Sequence, residues 1–163
     1  MKKTVLLIVM FIMTFGLASC GATEKEFSGS GMNITLDESF IEKDVIQAPL
    51  YLESQKYIFM GIRETISSLE AYEIDDLESY IEAVLTNNNH SDVSYDSVKD
   101  DEDNVLYYYA YYYATVEDMD FGYMMVVMEG EDHFYTMNFG CLEDDLEDSK
   151  EQFFKWAETI TVS

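Results

Sequence analysis

Hydrophobic and polar positions alternate along the chain with two different periods, and the period distinguishes predicted strands from predicted helices. In the first half, residues 32–36, 49–54 and 56–65 are β-prone segments separated by polar turns. The period then changes to steps of three and four residues over 77–85, directly after two aspartates that are typical of a helix N-terminus. The first half therefore predicts three strands followed by a helix.

The second half of the chain is richer in predicted strands. Residues 105–116, 121–128 and 134–141 are β-branched and aromatic runs, and the short acidic connections between them indicate antiparallel hairpins. A last helix is predicted from near Asp144, and residues 161–162 add a closing strand. This order of elements predicts an α+β fold, in which helices pack on an antiparallel β-sheet.

Three segments carry a resemblance to a known family: residues 34–40 (Ile-Thr-Leu-Asp-Glu-Ser-Phe), 59–63 (Phe-Met-Gly-Ile-Arg) and 153–160 (Phe-Phe-Lys-Trp-Ala-Glu-Thr-Ile). They resemble the Mog1/PsbP-like domain, including the small bacterial lipoproteins built on it, over residues 32–163. The resemblance implies an α/β/α sandwich. It also implies a protein-binding or assembly module rather than an enzyme.

The N-terminus has the pattern of a secretory signal. Two lysines precede an apolar run over residues 5–15, which is shorter than the about 20 residues that a membrane span needs. The run ends in Leu17-Ala18-Ser19-Cys20, which resembles the lipobox of bacterial lipoproteins. That resemblance implies a diacylglycerol on Cys20 and a protein anchored on the extracytoplasmic face of the cell membrane. The alternative is an ordinary secreted protein in which Cys20 is free or in a disulfide.

These patterns divide the chain into three parts. Residues 1–19 are predicted to be the signal peptide, and residues 32–163 a single α+β domain. Residues 20–31 are small and polar, and predict a lipidated, flexible tether. If Cys20 is acylated, Cys141 has no partner for a disulfide, and we expect it to be a buried packing residue.

Composition limits the class of partner. The chain carries 33 acidic and 9 basic residues, a net charge of −24, yet its 48% hydrophobic content is sufficient for a folded core. Removing the two lysines of the signal peptide leaves 33 acids against 7 bases, or −26. Because this charge repels phosphate backbones, nucleic acid is excluded as a class of partner.

The sequence contains few residues in the patterns that are typical of catalytic sites. His90 and His133 lie in polar contexts without a recognisable nucleophile or zinc pattern, and no glycine-rich phosphate loop is present in the sequence. Asp118, Asp120 and Glu129 occupy positions 1, 3 and 12 of an EF-hand-like count, but that count runs into a predicted strand. The sequence therefore predicts no catalytic residue and no cofactor, and these three acids are weak metal candidates.

A tyrosine-rich strand is the most unusual local feature. Side chains alternate along a strand, so Tyr107, Tyr109, Tyr111 and Tyr113 share one face about 6.6 to 7 Å apart. Tyrosine suits interfaces with proteins or glycans, so this row is a candidate binding surface. The favoured alternative is that a second layer covers the row. The opposite face, with its alanines, is expected to pack under a helix.

Three functions follow as hypotheses. The first is a lipid-anchored, extracytoplasmic, non-enzymatic binding or assembly module, which contacts the membrane through the acylated Cys20 and has a protein or glycan partner. The alternative is an acidic surface protein that binds divalent cations. The third is a hydrolase that uses carboxylates alone, and it is the weakest because nothing in the sequence places two acids at a defined separation across a cleft.

Overall fold

The computed structural model describes residues 23–163, so the predicted signal peptide and Cys20 lie outside the described residues. Within this range the chain forms ten strands and three α-helices. The strands are β1 (Glu24–Gly29), β2 (Met32–Asp37), β3 (Ile41–Glu42), β4 (Leu50–Glu53), β5 (Ile58–Thr65), β6 (Tyr95–Lys99), β7 (Val105–Val116), β8 (Met119–Glu129), β9 (His133–Leu142) and β10 (Thr161–Val162). The helices are α1 (Ile66–Leu69), α2 (Leu77–Asn87) and α3 (Leu146–Ala157).

The strands form two antiparallel sheets. The larger sheet has seven strands in the order β3-β4-β5-β9-β8-β7-β6, and the smaller has three in the order β1-β2-β10. The predicted α+β class, with an antiparallel sheet and helices packed on it, is confirmed. None of the helices within residues 23–163 is long and apolar enough to cross a bilayer.

The hairpin between β7 and β8 illustrates how local sequence fixes register. Its two turn residues, Glu117 and Asp118, both have positive φ (+50° and +65°). Two successive positive φ angles define a turn whose twist matches the twist of paired strands. The turn aligns Val116 with Met119 and, further along, Tyr112 with Tyr123.

A capping box fixes the start of α2, as the sequence predicts. The Asp76 carboxylate accepts a hydrogen bond from the Ser79 backbone N–H at 2.7 Å, and the Ser79 hydroxyl accepts one from the Asp76 N–H. Hydrogen bonds to the ionised carboxylate lower the pKa of Asp76. The cap presents Leu77, Tyr80 and Ile81 to the sheet, where all three are buried.

Two hydrophobic cores lie on opposite faces of the large sheet. The larger core lies between the sheet and the layer made by α3 and the small sheet, and its centre is a group of rings from Phe139, Phe153 and Trp156. The Phe139 ring centroid lies 5.5 Å from that of Phe153 and 6.1 Å from that of Trp156. The smaller core packs α2 against Ala110 and Phe134 on the other face. The sheet is therefore covered, at least in part, on both faces.

The structure corrects the predicted tether. Residues 24–29 form strand β1, which pairs with β2 along its full length, and Phe27 is buried in the larger core. The serine and glycine that suggested flexibility, Ser30 and Gly31, form the two-residue hairpin turn with positive φ at both positions. The folded domain thus includes residues 24–31, which the sequence assigned to a linker.

We predict that Phe27→Ala lowers the free energy of unfolding by about 3 kcal/mol, since removing a buried phenyl ring leaves a cavity. The matched control is Ser28→Ala on the same strand, whose side chain is exposed and whose effect should stay within about 0.5 kcal/mol. Chemical denaturation of both variants measures the difference. Equal stability of the two variants would show that residues 24–29 are dispensable for folding, as a tether would be.

Candidate binding face

Helix α2 covers only part of its face of the large sheet. It has 11 residues and a length of about 16 Å, whereas an 11-residue strand such as β8 is about 35 Å long. The sheet residues in its core are Ala110, Met125, Val127 and Phe134. The remainder of this face has no helix over it in the described chain, and we call this remainder the open face.

The register of the strands defines the open face, because directly paired residues point to the same side of a sheet. Tyr112 is paired with Tyr123, and Ala114 with Phe121, which in turn is paired with Leu142. The residues of the open face are Ile41, Tyr51, Glu53, Ile58, Met60, Ile62, Tyr112, Ala114, Val116, Met119, Phe121, Tyr123, Asn138 and Leu142. All but the three tyrosines, Glu53 and Asn138 are apolar.

Several of these apolar side chains are exposed. Leu142 is 50% exposed, and Val116 and Met119, beside the β7–β8 turn, are exposed to a similar extent. Phe121, between them and the centre of the sheet, is half-buried. Contiguous apolar surface of this kind usually marks a site of interaction with another molecule.

Four rings stand side by side across the open face. The ring centroids of His90 and Tyr112 are 4.6 Å apart, those of Tyr112 and Tyr123 are 5.0 Å apart, and those of Tyr123 and Phe121 are 6.1 Å apart. Tyr123 lies directly over Gly140, where a Cβ atom would come within 2.6 Å of the ring. Gly140 therefore permits the close packing of this row of rings.

A groove runs between the C-terminal end of α2 and the open face. Its volume is about 380 Å³, and its lining includes Met60, Tyr112, Tyr123, His90 and Asn138. Mostly apolar walls with a few polar groups are typical of ligand sites. Burial raises the pKa values of Tyr112 and Tyr123, so both hydroxyl groups stay protonated at neutral pH.

Asn138 is the polar group at the floor of the groove. The residue is 6% exposed, and its side-chain oxygen accepts a hydrogen bond from the Tyr112 hydroxyl at 2.9 Å. Its amide nitrogen has no hydrogen-bond partner among residues 23–163, yet it is not sealed from solvent. The groove therefore offers one oriented donor to a bound acceptor.

The predicted tyrosine row is divided by burial rather than exposed as one surface. Tyr107 is buried, and Tyr109 and Tyr111 are half-buried beside the ring of Phe154 from α3, at centroid distances of 4.9 and 6.5 Å. Tyr113 remains 52% exposed. Tyr107, Tyr109 and Tyr111 are thus covered to different extents, and Tyr113 is the exposed member of the row.

The opposite face of β7 also differs from the expectation of a face packed under a helix. Tyr108 and Ala110 do pack against the core of α2. Tyr112 also packs against this core and lines the groove at its edge, whereas Ala114, further along the strand, only lines the groove. Leu106, at the other end of the strand, is 52% exposed. Alternation identified the two faces of the strand correctly, but it does not reveal where a covering helix ends.

The weak metal candidates do not form one site. Asp118 lies in the β7–β8 turn, and the Asp120 carboxylate accepts a hydrogen bond from the Thr115 hydroxyl at 2.7 Å. Glu129 lies at the far end of β8, about 30 Å from Asp120 along the strand. Residues 23–163 contain no group of three histidine, cysteine or acidic side chains arranged to hold a metal ion.

Cys141 is buried, as predicted, and lies in the larger core. Desolvation raises the pKa of its thiol above the usual value. A raised pKa keeps the thiol protonated and poorly nucleophilic, so Cys141 acts in packing.

We predict that mild nitration of the folded protein labels Tyr72 and Tyr113, which are 74% and 52% exposed, before Tyr107, Tyr109 and Tyr111. Burial shields these three rings and raises their pKa values, which lowers the amount of reactive phenolate. Peptide mass spectrometry measures the order of labelling, with protein in denaturant as the control in which all tyrosines react. Early labelling of Tyr107 would contradict the covered arrangement.

Comparisons with known proteins establish the fold. No protein-family model matches the sequence, and no curated protein is similar to it at a significant level. The structure is similar to cyanobacterial PsbP (CyanoP) from Synechocystis sp. PCC 6803, with a TM-score of 0.64 and 18% identity over 90% of this chain and 99% of that one. It is also similar to the Ran-binding protein Mog1p of Saccharomyces cerevisiae, with a TM-score of 0.56 and 6% identity over 87% and 96%. The domain therefore has the Mog1/PsbP-like fold.

Proposed function

We propose that this protein is a non-enzymatic binding or assembly module, anchored by lipid outside the cytoplasm, that contacts its partner through the open face. The observation that carries the proposal is the uncovered half of a sheet face, where apolar and aromatic side chains meet solvent beside a groove. The fold supports it, since one structure of this shape is named a Ran-binding protein.

The chemistry of the groove favours binding over catalysis. Its lining consists mainly of thioether, aliphatic and phenolic groups, with an amide at the floor. The His90 ring packs on Tyr112, and among residues 23–163 no hydrogen bond joins this ring to a serine or cysteine side chain. These groups provide contact area and one oriented hydrogen bond, which are the requirements for recognition.

The anchor would hold the domain close to the membrane. Strand β1 begins at Glu24, so only residues 21–23 separate it from Cys20. A fully extended chain of this length spans about 14 Å. Two or more acyl chains give stable attachment, whereas one chain alone binds only marginally. A short link of this kind would restrict the domain to partners at or near the same membrane surface.

Replacing Cys20 tests the anchor. We predict that Cys20→Ala abolishes incorporation of an alkyne fatty acid, because the sulfur that would be acylated is removed. Cys141→Ala is the matched control, since it removes the buried cysteine and should leave labelling unchanged. In-gel detection of the label in both variants gives the result. Labelling that persists in Cys20→Ala would refute the lipid anchor.

Site-specific photocrosslinking tests the open face. Leu142 on the open face and Tyr113 on the opposite face are 50% and 52% exposed, so they form a pair matched for accessibility. We predict that a benzophenone amino acid at position 142 crosslinks a discrete partner in intact cells, and that the same group at position 113 does not. The readout is a shifted band on an immunoblot, identified by mass spectrometry. Equal yields from both positions would exclude the open face as a specific interface.

A further inference from the structure

We infer that the open face binds a cationic polypeptide segment, which inserts an apolar side chain into the groove and places a backbone carbonyl against Asn138. This inference rests on the proposed function and specifies the chemistry of the partner. It follows from three properties of the face: its apolar groove, its unpaired amide donor and the distribution of charge around it.

The size of the groove fits part of a peptide. Its volume of about 380 Å³ lies toward the lower end of the roughly 300 to 1,000 Å³ of ligand pockets. Met60, Tyr112 and Tyr123 supply walls that favour an apolar side chain. The exposed surface around Phe121 and Leu142 adjoins the groove at Tyr123, whose ring lies 6.1 Å from that of Phe121, and it leaves room for neighbouring residues of the same segment.

The amide nitrogen of Asn138 favours a polypeptide over a simple hydrocarbon ligand. Occupying the groove with an apolar group alone would remove water from this donor without replacing its hydrogen bond, which is costly. A polypeptide carries a carbonyl acceptor at every residue, so one carbonyl is available beside an inserted side chain. The same segment can therefore satisfy both the apolar walls and the donor.

The charge distribution of this protein determines whether the expected partner is cationic or anionic. The seven basic residues of the described chain face 33 acidic ones, and five of the seven are already in ion pairs. Of the other two, Lys25 lies beside Phe27 on β1, and Arg63 lies near Gly31 at the small sheet. Two of the five lie near the edge of the open face, Lys43 and Lys56, and each is paired with an acid, Glu53 and Asp145 respectively.

Acidic residues border the exposed end of the open face. Glu117 and Asp118 form the turn next to Val116 and Met119, and Glu143 directly follows Leu142. All three acids are exposed. This arrangement attracts lysine and arginine side chains on either side of an inserted apolar residue, and it repels anionic partners. A second copy of this acidic chain is also disfavoured by the repulsion.

Three fluorescein-labelled dodecapeptides separate the contribution of apolar contact from that of charge. Their sequences are alternating leucine and lysine, alternating serine and lysine, and alternating leucine and glutamate. Fluorescence anisotropy follows their binding to the mature lipoprotein in phosphatidylcholine nanodiscs, with empty nanodiscs subtracted. We expect the leucine–lysine peptide to bind saturably, and to bind about tenfold more weakly when NaCl is raised from about 0.05 M to about 0.5 M. The other two peptides should bind at least about tenfold more weakly than the first.

Substitutions test whether the leucine–lysine peptide binds at the open face. Tyr123→Ala and Asn138→Ala should each weaken the leucine–lysine peptide by about tenfold, as expected for residues at the centre of an interface. Tyr113→Ala, on the opposite face, should leave its affinity unchanged. Tyr123→Phe keeps the ring and should bind like the parent protein, which separates loss of the contact from loss of folding.

The possible outcomes distinguish this inference from the proposed function. Equal binding of the serine–lysine and leucine–lysine peptides, or equal effects of Tyr113→Ala and Tyr123→Ala, would overturn the inference, because charge alone would then explain the binding. Preferential binding of the leucine–glutamate peptide that is lost in Tyr123→Ala would overturn the cationic assignment and leave the open face as the interface. Failure of all three peptides would also overturn the inference, whereas the crosslink at position 142 tests the interface independently.

Discussion

The fold depends on burying both faces of β9, the central strand of the large sheet. Every residue from 134 to 141 is buried, so this strand needs a layer on each side to keep water from its side chains. The layer of α3 and the small sheet covers one face, where the rings of Phe139 and Phe153 stack. The much shorter α2 covers the other face around Phe134 and Thr136, whose hydroxyl is hydrogen-bonded to that of Tyr80. The open face is the consequence, since a strand of this length extends beyond a helix of three turns.

The spacing of hydrophobic and polar residues predicts most of these strands and helices, because an amphipathic pattern is formed by residues that are close together in the sequence. Residues 77–85 show the helical period, and the three long strands are dense in β-branched and aromatic residues. Strand β1 was not predicted, because Phe27 is the only large apolar residue in it. Its stability comes from pairing with β2 and from the packing of Phe27 in the larger core. Strand β6 is similar, since a short sequence with an aspartate and a lysine becomes a strand only beside β7.

The candidate site was less accessible to sequence reasoning. Alternation assigned Tyr112 and Ala114 to the face expected under a helix, and nothing in the local sequence shows that the cover of α2 ends at Tyr112, which therefore also lines the groove. Asn138 lies in an otherwise apolar stretch, where a buried amide is unusual, and this was the one local signal of a polar site. Bringing His90 beside Tyr112 requires the loop after α2 to fold back over the sheet, a long-range arrangement that periodicity does not encode.

The net charge of the protein affects which molecules can associate with the exposed apolar surface of the open face. Apolar surface at the end of a sheet favours association between copies of a protein, and a lipid anchor would raise the local concentration of copies on a membrane. Residues 23–163 of each copy carry a charge of −26, and the acids at the β7–β8 turn lie beside the apolar residues themselves. Repulsion therefore opposes pairing between two open faces, although the apolar contact would favour it. A partner that brings the opposite charge removes this repulsion and gains the apolar contact, so the same residues that keep copies apart also select what binds.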